Sequence, residues 1–430
     1  MREAGAGVRT ANACTSLVGP GERTAPADTR TGRDTDVKAL TWQGMQKVSV
    51  QDVPDPTIQE PTDAIVRITS TAICGSDLHL YDVLGPFLHP GDVLGHEPMG
   101  IVEAVGPAAG DLRVGDRVVV PFGISCGHCW MCSRGLYSQC ETTQVRAQGK
   151  GAALFGYSDL YGAVPGGQAE YLRVPQAQFG PVRVPEGPPD QRFLYLSDVF
   201  PTAWQAVVYA DVPAGGTLAV LGLGPIGQAA VRIARHLGIG RVIGVDLVPE
   251  RLAAAATHGA ETIDLREVDD PADALIAAVA GRGPDAVIDA VGMEAHGAPV
   301  SKVAQTAVGL LPDALARKLT DVAAVDRVTA LTTAIKGVRR GGTVSVSGVY
   351  GGEKDQLPMM EAFDRQVQLR MGQANVRRWI GDLLPLLVDD ADPLDAEGLA
   401  THVLPLADAA KGYEMFQSKD DGCIKVVLQP

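Results

Sequence analysis

The segment SCGHCWMCSRGLYSQC sets Cys126, Cys129, Cys132 and Cys140 in C-x2-C-x2-C-x7-C spacing. Four thiolates on one short loop can close a tetrahedral zinc shell with no open position, which makes a structural rather than a catalytic site. An iron–sulfur loop of the form C-x2-C-x2-C-x3-C-P is the competing chemistry. Here the last interval is seven residues, no proline follows Cys140 and no second cluster exists, so zinc is the expectation and His128 stays outside the ligand set. A disulfide framework fits poorly with seven cysteines in a long chain, and a reducing, cytoplasmic setting is expected.

A second constellation lies at LGLGPIG, where Gly222, Gly224 and Gly227 stand in G-x-G-x-x-G spacing. An apolar strand precedes it, a helix follows, and the next strand ends in Asp246. Gly222 allows the tight turn, Gly224 lets backbone approach a pyrophosphate, and Gly227 lets helix and strand pack closely. Asp246 would accept hydrogen bonds from ribose hydroxyls and repel a 2′-phosphate, so NAD is expected over NADP. Arg251 is the residue that could blur that preference.

These sites need a scaffold. From Val37 onward, KVSVQDV, AIVRITSTAI, GIVEAVG, DRVVVPFG and AEYLRVP alternate apolar and polar residues between turns, as strands do. After Pro213 the rhythm becomes strand then helix, repeatedly: TLAVLGL, RVIGVDL, ETIDL, DAVIDAVG, GTVSVSGV and QVQLRMG read as strands. The fold class expected is α/β, a β-rich catalytic part beside a doubly wound parallel sheet. The catalytic part should comprise residues 37–202 and 373–430, with the nucleotide part, 203–372, inserted between them. The uncharged run over 212–231 is broken by proline and glycine and reads as strand, turn and helix, so no membrane span is expected.

Composition narrows the partners. Fifty glycines, about 12% of the chain, exceed the roughly 7% of average usage and signal tight backbone geometry. Lys plus Arg number 37 against 51 Asp plus Glu, and the net charge of −14 argues against nucleic acid. Residues 1–36 have almost no large apolar side chains and no periodicity, so a disordered extension is expected, with Val37 marking the true GTG start codon and the residues before it a wrongly included extension. Native peptides containing Met1 would contradict that reading.

C-G-S-D-x-H from Cys74, G-H-E around His96, D-R-V, the four-cysteine loop, G-G-Q-A-E-Y and the glycine fingerprint occur in one order. That order resembles the zinc-dependent medium-chain alcohol dehydrogenases, from Val37 to Pro430, with a GroES-like catalytic domain and a Rossmann cofactor domain. The resemblance implies two zinc ions per chain, one catalytic and one structural. It makes Cys74 and His96 catalytic zinc ligands and Glu97 the carboxylate beside them. LSDVFPTAW puts Asp198 where the best-known members have a third, cysteine, ligand, four residues before Thr202. This departure resembles the bacterial formaldehyde-dehydrogenase-like branch, in which aspartate is the third ligand.

The resemblance also implies roles. Zinc would acidify an alcohol hydroxyl, Ser76 would take its proton, and His79 would relay it. Gly75, Thr202, Ile226, Val291 and Gly292 join the fingerprint residues around the cofactor. A small alcohol or aldehyde is the expected substrate, with formaldehyde the candidate. A polyol- or threonine-type dehydrogenase, a dehydrogenase of S-hydroxymethyl thiol adducts, and a cofactor-sensing binding protein are the alternatives. Retention of Cys74, Ser76, His79, His96 and Asp198 together argues against the last. Residues 293–336, longer than in relatives with short connections, leave room for two helices, and VAQTAVGLLPDALARKL suggests an amphipathic helix interrupted at Pro312 that would cover the cofactor crevice or a subunit interface. In relatives that bind cofactor tightly an insertion near here embraces the dinucleotide, a role left open for His296 and its neighbours. A homodimer or homotetramer is expected. Cys14 and Cys423 have no assigned task.

Overall fold

The structure, a computed structural model, describes residues 36–292, 328–350 and 357–430. The expectations for the N-terminal extension, Cys14, His296 and Pro312 lie outside the described residues.

The chain enters as a hairpin, β1 (Val37–Gly44) and β2 (Lys47–Val53), in antiparallel register from Val37 opposite Val53. β3 (Ala64–Ile73) is buried along most of its length because it has neighbours on both sides. It pairs with β4 (Glu97–Val105) along one edge, while β6 (Tyr171–Val174) and the C-terminal β15 (Val426–Gln429) share the other. β5 (Arg117–Val119), β7 (Val182–Arg183) and β14 (His402–Pro405) complete this sheet. Its strands therefore come from both ends of the described chain. Between β3 and β4 runs helix α1 (Gly75–Asp82), for which Cys74 is the N-cap.

The second sheet is parallel throughout. Its order is β10-β9-β8-β11-β12-β13, from β8 (Thr217–Leu221), β9 (Arg241–Asp246), β10 (Glu261–Asp264), β11 (Ala286–Asp289), β12 (Thr343–Val346) and β13 (Gln368–Met371). Strand order reverses between β8 and β11, the switch point at which doubly wound sheets open a ligand crevice beyond their strand ends. The parallel α/β part read from the strand–helix rhythm is thus what the chain builds.

Two helices lie between the sheets. The short α2 (Asp190–Phe193) leads into α3 (Val199–Ala210), whose Val199, Phe200, Ala203, Trp204, Ala206 and Val207 are all buried in the largest apolar core. That core also takes in Leu218 and Val220 of β8, so α3 is packed against the nucleotide-type sheet. Helices α4 (Pro225–His236), α5 (Pro249–Thr257), α6 (Pro271–Ala278), α7 (Thr329–Gly337) and α8 (Met359–Asp364) flank the parallel strands. α9 (Val376–Leu387) buries Trp379, Ile380, Leu383 and Leu387 beside α3, and α10 (Ala409–Ser418) covers the first sheet with Tyr413 and Phe416. No helix among the described residues is long and apolar enough to cross a membrane.

Candidate active site and cofactor crevice

The end of β3 and the start of β4 are paired, Ala72 opposite Glu97, so Cys74 and His96 emerge at the same end of the sheet. Asp198 arrives from the N-cap of α3. One ligand-type atom from each of Cys74, His96, Glu97 and Asp198 lies within 4.8 Å of the others, and all four residues are buried. Cys74 Sγ is 3.4 Å and His96 Nε2 3.5 Å from Asp198 Oδ2.

Supporting groups fix each side chain. Thr202 donates to Asp198 Oδ1 at 2.6 Å, which leaves Oδ2 for Cys74 and His96. His96 Nδ1 is 3.0 Å from Asp77 Oδ1, and neither atom has another partner. Asp77 Oδ2 accepts the Cys74 N–H at 3.0 Å and Gln168 Nε2 at 3.2 Å, while Tyr413 donates to Gln168 Oε1 at 2.9 Å. Glu97 Oε1 accepts Lys425 Nζ at 2.6 Å, with both side chains fully buried. Glu97 Oε2 has no hydrogen-bond partner. A buried carboxylate oxygen left without a donor, beside a thiol, an imidazole and a second carboxylate, suits a cation, so this donor set fits zinc.

The electrostatics agree. Burial, together with the carboxylates of Asp198 and Glu97, pushes the Cys74 thiol up to about 11. Burial alone would lower His96, but Asp77, Cys74 and Asp198 outweigh it and hold the ring protonated well above the ordinary imidazole range. Burial works against ionisation of Asp198, yet its hydrogen bond to His96, the charge of that ring and Thr202 hold its carboxyl below the usual range. Three acids and a thiol thus crowd a space for which His96 and Lys425 are the compensating cations.

Ser76 hydrogen-bonds Cys74 Sγ at 3.4 Å and lies 3.3 Å from His96 Nε2. It and His79 both face a cleft of about 1080 Å³. Cys74, Gly75, His96, Asp198 and Thr202 line one part of this cleft, and Phe122, Leu154, Tyr157 and Tyr161 supply its apolar wall. Gly222, Gly224, Ile226, Asp246, Arg251 and Val291 line the other part.

There the glycine turn has its expected mechanics. Gly222 has φ +83°, and a Cβ on it would lie 2.6 Å from Val291 Cγ2. A Cβ on Gly227 would meet the Gly222 carbonyl at 1.9 Å, so helix and turn pack backbone to backbone. Around Gly224, the N-cap of α4, the nearest atom to a Cβ would be an Arg251 guanidinium nitrogen at 3.7 Å, which leaves the helix start open to an anion. Arg251 Nε is buried without a hydrogen-bond partner. Asp246 receives the N–H groups of Leu223, Leu247 and Val248 at 2.6, 2.7 and 2.9 Å, so it shapes the turn as well as facing the crevice. Gly292 (φ +61°) sits against Val349 backbone, and its N–H donates to Asp289 Oδ1 at 3.2 Å. An open helix start, a buried unpaired guanidinium nitrogen and a carboxylate at the end of β9 fit a dinucleotide.

The four cysteines converge separately, their sulfurs within 4.8 Å of one another. Cys129 and Cys140 sulfurs are 3.9 Å apart, close to the roughly 3.8 Å edge of a tetrahedron built on Zn–S bonds of about 2.3 Å. Backbone N–H groups of Cys126, His128, Cys129, Cys132 and Glu141 point at these sulfurs at 3.3–3.5 Å. Burial opposes it, but N–H groups of Cys132 and Glu141 bring Cys129 down to about 6. Burial and the Cys129 sulfur push the Cys132 thiol up, so it is the convergence of the four sulfurs that fits a metal. His128 turns Nδ1 to the Cys126 carbonyl at 3.0 Å, outside the cluster.

Sequence reasoning did not single out Asp77, Gln168, Lys425 or Tyr157. Asp77 carried a usable signal, since it stands three residues after Cys74, where a first-turn acid reaches back to the helix N-cap. Lys425 carried none: a lone lysine in IKVVLQP gives no hint of a partner 328 residues away.

A thiol, an imidazole and a carboxylate at one end of a cleft and a phosphate-binding turn at the other define a zinc-binding dehydrogenase with GroES-like and Rossmann parts. Residues 60–186 match the alcohol dehydrogenase GroES-like domain, and residues 225–306 match the zinc-binding dehydrogenase family. The chain belongs to the zinc-type alcohol dehydrogenase family. It is 42% identical to a zinc-type alcohol dehydrogenase-like protein of Bacillus subtilis, over 92% of this chain and all of that one. It is 34% identical to a glutathione-independent formaldehyde dehydrogenase of Pseudomonas aeruginosa, over 89% of this chain and 95% of the relative. An alcohol dehydrogenase from Thermus superposes with a TM-score of 0.74 at 33% identity, covering 91% and 99% of the two chains.

Proposed function

We propose that this family member is an NAD-dependent dehydrogenase of small alcohols and aldehydes, with formaldehyde, as its hydrate or alcohol-level adduct, the leading substrate. One observation carries the reading: the Cys74–His96–Asp198 cluster and the Gly222–Gly227 turn open into the same cleft. Similarity to the Pseudomonas formaldehyde dehydrogenase supports the substrate.

Zinc held by Cys74, His96 and Asp198 would supply Lewis acidity to a substrate oxygen, and NAD in the glycine crevice would supply the hydride acceptor. The chain's own groups do the rest. Asp77 holds the His96 ring by Nδ1, so that Nε2 faces the cluster. Thr202 holds one oxygen of Asp198 and frees the other. Ser76 Oγ, set against Cys74 Sγ and His96 Nε2 on the cleft wall, is the hydroxyl assigned to take a substrate proton, and His79, on the same helix and lining the same cleft, is the group to which it passes. Phe122, Leu154, Tyr157 and Tyr161 exclude water from the reacting carbon.

The four-cysteine loop would hold a second, structural zinc. Its free thiols suit a reducing cytoplasm. A homodimer is the assembly proposed, because β13 is an edge strand among the described residues and Met371 on it is exposed, as are Met360 and Phe363 of α8. A panel of aldehydes and alcohols assayed with NAD and NADP tests the reading. Formaldehyde turnover with NAD, ahead of polyols and threonine, is expected; preference for a polyol would replace the substrate while keeping the chemistry.

A further inference from the structure

The four-cysteine loop contributes no residue to the cleft, yet a continuous chain of buried hydrogen bonds joins them. Ser138 lies between Cys132 and Cys140, in the turn Tyr137–Gln139. Its N–H and hydroxyl both donate to Asn375 Oδ1, at 3.0 and 3.1 Å. Asn375, in turn, donates its backbone N–H and Nδ2 to Gln205 Oε1, at 3.0 and 3.3 Å, and Trp379 Nε1 joins the same oxygen at 3.2 Å. Gln205 Nε2 donates to the carbonyls of Gly372 and Gln373, at 3.0 and 3.4 Å. Gln205, Gly372, Gln373 and Ala374 all line the cleft. Ser138, Asn375 and Gln205 are each at least nine-tenths buried.

We infer that Asn375 and Gln205 are positioning residues that couple metal occupancy of the four-cysteine loop to cofactor binding. The inference rests on the functional reading above. The N–H groups aimed at the Cys126, Cys129 and Cys140 sulfurs hold the loop in shape only while the sulfurs remain gathered. Without a metal nothing bonds the four sulfurs to one centre, and as they separate the turn that presents Ser138 moves with them.

Asn375 would then lose both donors at Oδ1, and a buried amide seldom keeps its place with an unsatisfied carbonyl. Its other contact is Gln205 Oε1, and the opposite end of Gln205 sets the 372–373 crossover that walls the crevice. Gln205 is also three residues after Thr202 on α3, so the same displacement bears on the group that holds Asp198. Thermodynamic linkage makes the coupling reciprocal: cofactor in the crevice must tighten metal in the loop.

The experiment uses the native holoenzyme. Zinc release from the loop is followed with a thiol reagent and a chromogenic chelator, with and without saturating NADH, and the loop phase is the one missing in Cys129→Ser. NADH should slow that phase at least about fivefold in the wild type, the lower end of usual coupling. In Asn375→Leu, with NADH still bound, the two rates should be equal. A protein that merely needs Asn375 to fold would release zinc faster in both conditions and keep the protection. If Asn375→Leu does not fold, Ser138→Ala, which removes one of the two bonds, should show reduced protection. Full protection in either variant overturns the coupling, as does equal release in a wild type that carries loop zinc and binds NADH. Absence of loop zinc or of NADH binding would instead bring down the functional reading, and the inference with it.

Discussion

His96 Nδ1 stands 3.0 Å from Asp77 Oδ1, and each is the other's sole polar neighbour in a buried site. This pairing holds the ring by Nδ1 and turns Nε2 toward Cys74 and Asp198. Asp77→Asn keeps the volume but weakens the acceptor that orients the ligand. Catalytic-zinc affinity or kcat/KM should fall about 10–100-fold, measured by chelator competition and steady-state kinetics. An unchanged affinity would mean that His96 is oriented by packing alone.

Lys425 and Glu97 form an ion pair with no exposed surface on either side chain. Removing one member leaves a charge in the core. Lys425→Met should cost about 3–5 kcal/mol in urea denaturation of the metal-free protein. Glu97→Gln added to it should recover much of that loss. A small effect of the single change would show that water reaches Glu97.

Asp246 lines the cleft while accepting three backbone N–H groups. A cofactor with a 2′-phosphate would set like charges together, a juxtaposition costing several kcal/mol. NAD should therefore exceed NADP by at least about tenfold in kcat/KM. Arg251 lines the same crevice, and equal use of both cofactors would mean that its guanidinium overrides the carboxylate.

Burial and the neighbouring carboxylates hold the Cys74 thiol at about 11 without metal. Zinc takes the thiolate and a neutral imidazole, so loading the site must expel protons from both Cys74 and His96 at neutral pH. A group whose pKa is raised keeps its proton as pH falls, so zinc affinity should drop toward acid and rise with pH. Isothermal titration in buffers of different ionisation enthalpy counts the protons released. Release of one or none would mean that Cys74 is already a thiolate or His96 already neutral before metal arrives.

Phe363 is 82% and Met371 60% exposed, and β13, which carries Met371, is an edge strand among the described residues. Such apolar exposure next to unpaired strand hydrogen-bonding groups is a pairing surface. Phe363→Asp with Met371→Lys should shift light-scattering mass from dimer to monomer. An unchanged mass would put the subunit contact elsewhere.

Periodic features were legible in the sequence and long-range ones were not. TLAVL, RVIGVD and AVID announced parallel strands because strands covered by helices on both faces are apolar runs, and G-x-G-x-x-G fixed a turn by local sterics. The four cysteines were readable because their ligand geometry is local. Cys74, His96 and Asp198 are brought together by strand pairing and by the entry of α3, so only the order of motifs pointed to their meeting. Lys425 on Glu97, Tyr413 on Gln168 and Asn375 on Ser138 join residues more than two hundred positions apart, and no spacing encodes such contacts. Cys423 proved to be a buried thiol, which burial raises to about 11, without an assigned task.

The central claim is that Cys74, His96 and Asp198 hold a zinc that NAD-linked alcohol chemistry requires, apart from a second zinc on the four-cysteine loop. Metal content and NAD-linked turnover, measured together on the native protein and on Cys74→Ala, test it most directly. Two zinc ions per chain with turnover in the native protein, and one zinc without turnover in Cys74→Ala, are predicted. One zinc in the native protein, or undiminished turnover in Cys74→Ala, would contradict it.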